Sequence, residues 1–142
     1  MATALRSSMP NWFRIVALIA IAWNVVGVTM YLSSVGMFGD PMAGLSEGER
    51  AAAASIPGWI TGAFAIGTFA GLIGSVGLLL RKAWSRPVLL VSAAALLVLE
   101  GWIIFFSDAL EMFGLAVPIM VSVGAILLAW LATHARKHGW LS

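Results

Sequence analysis

The chain has 142 residues, 61% hydrophobic and 10% charged, with a mean hydropathy of +1.00. Soluble domains run near ~45–50% apolar and ~25% charged, so this composition excludes a water-soluble globular domain, a disordered chain and a nucleic-acid-binding domain. There is no Cys, which removes disulfides, thiol nucleophiles and Cys-type metal sites, and the net charge is only +2. A small basic excess in so apolar a chain points to Lys and Arg at the membrane surface, facing anionic lipid.

The expected architecture is an all-α membrane protein, a single transmembrane domain over residues 1–142. A bilayer core of ~30 Å needs roughly 20 apolar residues as helix. Four stretches qualify, approximately Trp12–Val35, Gly58–Leu80, Val88–Phe106 and Leu115–Thr133. Each is apolar all round, as helices in lipid are. Pro57 and Pro87 open the second and third spans, and Pro118 sits in the first turn of the fourth. A proline costs least there, because the first-turn N–H groups have no helical partner. Ala20-Ile21-Ala22 resembles a signal-peptide cleavage site, but the apolar run continues well past it, which favours an uncleaved first span.

Cations set the expected orientation. Arg6 and Arg14 flank the start of the first span, Arg81, Lys82 and Arg86 fill the loop between the second and third, and Arg136 and Lys137 follow the fourth. The other two loops hold Arg50 with Asp40, Glu47, Glu49, Asp108 and Glu111. The positive-inside rule then predicts both termini in the cytoplasm. Trp12, Trp84, Trp130 and Trp140 fall near the cytoplasmic interface, and Tyr31, Trp59, Phe105 and Phe106 near the outer one, as an aromatic belt would. Trp23, at mid-depth, is expected to pack between helices.

The first outer loop contains Ser46-Glu47-Gly48-Glu49, a capping box, followed by Arg50 and four alanines. It predicts a short helix from about Glu47 to Ser55, serving as a connector or as a lid on the outer surface.

Span two carries a small-residue stripe at a spacing of four: Ala63, Gly67, Gly71 and Ser75. Two G-x-x-x-G patterns occur, Gly58/Gly62 and Gly67/Gly71. Such a face admits another helix at close range, from the same chain or from another subunit. Asn24 is near the middle of span one, where its amide must find partners inside the bundle. Glu100 is the one acid well inside a span. A charge at mid-helix costs roughly 2.5–3.5 kcal/mol on insertion scales, so this carboxyl is expected to be uncharged or paired. One reading makes it a proton carrier or a site for a cationic group; the other makes it a hydrogen-bonding strut, with Asn24 as one candidate partner. If the third helix runs on past Phe106, then Asp108 and Glu111 share Glu100's stripe and offer proton access from outside.

His134 and His138 stand at i, i+4, a spacing that can bind a metal, but no third ligand is near in sequence and a basic interfacial tail is the favoured reading. With no nucleophile triad or phosphate loop, and no haem-ligand pair within the spans, the sequence argues for neither an enzyme nor a bound metal or cofactor.

Several blocks resemble a known family. They are Trp23-Asn24 with Gly27 and Tyr31-Leu32; Pro57-Gly58-Trp59; and Phe64-Ala65-Ile66-Gly67 with Phe69, Gly71, Gly74-Ser75, Gly77-Leu78-Leu79-Leu80-Arg81-Lys82, Trp84-Ser85 and Pro87. Pro118-Ile119-Met120-Val121 and Gly139-Trp140-Leu141 complete the set. Together they resemble small bacterial four-span inner-membrane proteins commonly labelled sugar transporters, over nearly the whole chain. The resemblance implies a bacterial inner membrane, a four-helix fold and, by the label, sugar transport. Glu100 departs from that family's pattern, which tends to carry an uncharged polar residue near this position.

Two functions are therefore expected. The first is a non-enzymatic membrane subunit or accessory protein, associating with itself or a larger complex through helix packing. The second is a small oligomeric transporter, proton-coupled through Glu100.

Overall fold

The computed structural model describes residues 8–108, 110–111 and 114–142. Arg6, used above for orientation, lies outside the described residues. Five helices follow in order: α1 Asn11–Ser34, α2 Glu47–Ala54, α3 Gly58–Leu79, α4 Ser85–Phe106 and α5 Ala116–Lys137. The four long ones hold 22 to 24 residues. At 1.5 Å per residue they are about 33–36 Å long, enough to cross a bilayer core of ~30 Å. A helix satisfies its own backbone groups, which is the condition for leaving water.

The helix ends differ from expectation by more than one residue in two places, each with a local reason. α4 begins at Ser85 rather than Val88, because Pro87 sits within the first turn, where its missing N–H removes no bond. α5 runs on to Lys137, carrying His134, Arg136 and Lys137 into its last turn, where cations suit the carbonyl end of the helix dipole.

α2 forms where the capping box predicts it. The Ser46 hydroxyl accepts from the Glu49 amide at 3.3 Å, and the Glu49 carboxylate accepts from the Ser46 amide at 2.7 Å. The backbone and side-chain hydrogen bonds from Ser46 hold the Glu49 carboxyl below its ordinary range. The cap is therefore complete above the usual Glu range and is lost as pH falls through the lowered value.

α1 packs on α3, α3 on α4, and α4 on α5. At the end where α1 begins and α5 finishes, all four long helices share one core: Phe13 and Ala17 from α1, Leu78 from α3, Leu89 from α4, and Leu131, Ala132 and Ala135 from α5. A second core, toward the other end, draws on Ile60, Ala93, Leu96, Leu99, Ala125 and Ala129, which belong to α3, α4 and α5 alone. There α1 leans on the far side of α3, with Tyr31 edge-on to Phe64 and Phe69 at 5.6 and 5.8 Å. The outward faces are apolar, with Ile19, Val98 and Leu127 among the exposed side chains. Trp23 is 43% exposed on this outer surface, yet its indole nitrogen stands 4.0 Å from a Cβ built on Gly124, so it bridges α1 and α5 at the surface instead of packing deep between them.

α3 ends in a Schellman turn in which the amide of Lys82 bonds the carbonyl of Gly77 at 2.8 Å and that of Arg81 bonds Leu78 at 3.0 Å. The left-handed position is held by Arg81 at φ 60° instead of by glycine. What offsets this strain is the C-terminal tail. Arg81 Nε donates to the Trp140 carbonyl at 3.0 Å, the Ser142 amide donates to the Arg81 carbonyl at 2.8 Å, and the Ala83 amide donates to Ser142 at 2.9 Å. The tail thereby closes over the bundle, burying Leu141.

Candidate functional site

From Gly67 to Ser75 the small-residue stripe of α3 is filled from within the chain, and Ala63 at its N-terminal end is half-buried. A Cβ at Gly67 would stand 2.5 Å from Leu96 Cδ2, and one at Gly74 2.5 Å from Leu89 Cγ. One at Gly77 would meet Trp84 and Ser85 at 2.8 Å, and one at Gly71 would overlap the Asn24 side-chain oxygen outright. So α4 presses on Gly67, Gly74 and Gly77, while α1 delivers Asn24 to Gly71. Gly74 and Gly77 extend the stripe; their spacing after Gly67 and Gly71 was the available signal. The other pattern, Gly58/Gly62, meets nothing within 4 Å of a built Cβ.

Close approach brings together a buried polar cluster from three helices. Asn24 Nδ2 donates to the Ala20 carbonyl at 2.8 Å and to Ser75 Oγ at 3.2 Å. The carbonyl can only accept, which fixes the orientation of the amide. Ser75 Oγ donates to the Gly71 carbonyl at 2.7 Å, Ser92 Oγ to the Gly67 carbonyl at 2.6 Å, and Thr68 Oγ1 to the Phe64 carbonyl at 2.9 Å. Ser92 is visible in the sequence as a polar residue inside the third span, but a lone Ser among alanines and leucines carries no sign of its cross-helix acceptor. Asn24 is thus tied to α3 and not to Glu100, which lies eight residues beyond Ser92 on α4, about 12 Å further along the axis.

Glu100 is 5% exposed, on the bundle-facing side of α4. Its neighbours on that face, Leu96 and Leu99, belong to the second apolar core, with Ile103 packed against it. Among the described residues it has neither a hydrogen bond nor an ion pair. The acidic stripe expected beyond it does not form. α4 stops at Phe106 and Ser107 takes an extended conformation (φ −120°, ψ 140°), which breaks the helical register before Asp108 and Glu111. Both of those residues are exposed.

At the basic end His134 and His138 have ring centroids 4.2 Å apart. His134 stacks on Trp130 at 5.2 Å and His138 on Trp140 at 5.4 Å, so both rings belong to an aromatic stack that reaches Trp12 and Phe13 through Trp140. Among the described residues no group of three metal-ligating side chains assembles.

Four apolar helices of membrane-crossing length around a shared core define a small multi-pass integral membrane protein. No protein-family model matches the chain, and no curated protein and no solved structure matches it.

Proposed function

We propose that this is a non-enzymatic membrane subunit or accessory protein of a bacterial inner membrane, with both termini in the cytoplasm, that works by associating with other membrane chains. The observation that carries this reading is where the polar side chains spend their hydrogens. Both amide hydrogens of Asn24 and the hydroxyl hydrogens of Thr68, Ser75 and Ser92 go to protein acceptors. Groups used this way hold helices together. A polar cargo needs such groups turned toward it. The association face this reading selects is Gly58–Gly62, the glycine pair left open, in place of Gly67–Gly71, which the chain fills itself.

Intact mass after gentle extraction from the native membrane tests the proposal. Co-extraction with different chains, lost in Gly62→Leu while that variant keeps its helical content, is the expected result. A wild-type species at the single-chain mass of 15.0 kDa counts against it.

A second reading, a small oligomeric transporter coupled to protons through Glu100, is favoured by one observation: this buried acid lacks a partner among the described residues. Intramembrane acids mark ion and proton pathways. A sugar is the cargo that the sequence resemblance implies. Here extraction yields a homo-oligomer, and Glu100→Gln abolishes uptake in reconstituted vesicles.

A further inference from the structure

Where the first turn of α4 meets the last turns of α5, a cleft of about 170 Å³ is lined by Arg86, Thr133, Arg136 and Lys137. Arg86 Nε donates to Thr133 Oγ1 at 3.4 Å, which draws the guanidinium across the groove from one helix to the other. An Arg fork has five N–H donors, so one bond of this kind leaves most of its hydrogen-bonding capacity for another acceptor.

Three cations share this cleft, and no Asp or Glu is near it in the fold. Asp40, Glu47 and Glu49 belong to the α1–α3 connection, Asp108 and Glu111 follow α4, and Glu100 is in the opposite half of α4. Crowded like charges raise the energy of the bundle unless an anion joins them. The position of the cleft says which anion. It opens at the ends of two membrane-crossing helices, at the level of lipid headgroups. One turn inward from Arg86, at i+4, stands exposed Leu90, and two turns inward from Thr133, at i−7, stands exposed Ile126. A molecule with a charged head and apolar tails matches both surfaces at once; a free inorganic ion matches only the first.

We propose that this cleft is a binding site for the phosphate of an anionic phospholipid. The Arg86 fork holds the phosphate oxygens, Arg136 and Lys137 neutralise its charge, and the acyl chains lie along the seam between α4 and α5. Basic pockets between transmembrane helices serve this chemistry elsewhere.

The test uses the full chain, purified in neutral detergent and titrated with phosphatidylglycerol, phosphatidylcholine or inorganic phosphate, with native mass spectrometry counting bound lipid. The cleft variant is Arg136→Gln/Lys137→Gln, both exposed side chains, and the charge-matched control is Arg14→Gln/Lys82→Gln, exposed cations outside the cleft. Phosphatidylglycerol is expected to be retained over phosphatidylcholine, about tenfold more weakly in the cleft variant and unchanged in the control. Equal weakening in both variants would make the attraction diffuse and overturn the site. Displacement of phosphatidylglycerol by inorganic phosphate at millimolar concentration, or no preference for the anionic lipid, would overturn the lipid assignment.

Discussion

Gly71→Ala is expected to destabilise the bundle by about 1–4 kcal/mol, net of the roughly 1 kcal/mol that Ala gains over Gly in helix propensity. Two costs combine. The methyl would occupy the space of the Asn24 side-chain oxygen and stand 3.0 Å from Ser92 Oγ, so α1 or α4 must move. Overpacking of a filled interior costs ~1–3 kcal/mol. Moving Asn24 also breaks its bond to Ser75, and interhelical bonds in membranes average about 0.6 kcal/mol, up to about 1.7. The control is in the same helix. In the purified single chain, Gly62→Ala meets nothing within 4 Å and should stabilise by up to about 1 kcal/mol through helix propensity alone. Thermal unfolding in mild detergent, or titration with a denaturing detergent, reads both. Equal shifts for the two variants would mean that the Gly71 face is not packed as described.

Glu100→Leu is expected to act in the opposite direction, stabilising the bundle by about 1–3 kcal/mol. Insertion scales separate an acid from Leu by roughly 3 kcal/mol at the centre of a helix, less toward its end or when the acid is protonated. Removing one member of a buried hydrogen-bonded pair leaves its partner unsatisfied and costs stability. Glu100 has no such partner among the described residues, and its neighbours on the helix face are Leu96, Leu99 and Ile103. The sign of the change therefore separates its two roles. A gain in stability, with loss of proton-coupled flux in reconstituted vesicles, identifies an acid kept for function at a structural cost. A loss of stability identifies a strut, and the carrier idea goes with it.

The balance of what was legible follows the range of the interactions. The capping box at Ser46–Glu49 is contained in four residues, and it formed as read. The four spans follow from length and apolarity, which are properties of each segment alone. Their ends were less legible, since Pro87 fits inside a first turn as well as before one. Partnership between helices was not legible. The α3 stripe was visible at a spacing of four, but nothing local says that Leu96, Leu89 and Asn24 fill it from the same chain. Asn24 was expected inside the bundle, but its bond to Ser75 spans 51 positions, and no pattern near either residue encodes it. The three-acid stripe failed on one local event, the extended turn at Ser107, to which helical spacing is blind.

The account rests on α3 turning its small-residue face toward its own chain, and one measurement tests that directly. A Cβ built on Gly27 of α1 stands 3.8 Å from the Thr68 Cβ of α3, the mean separation of ~3.8 Å found in disulfides. The chain has no Cys of its own, so Gly27→Cys/Thr68→Cys introduces the only two thiols. After mild oxidation in the native membrane, the protein should run as a monomer. Trypsin cleavage at Arg50, the one Lys or Arg between the two positions and exposed on α2, should leave fragments joined until a reductant is added. A cross-linked dimer from Thr68→Cys alone, or fragments that separate without reductant, would mean that this face of α3 belongs to another chain.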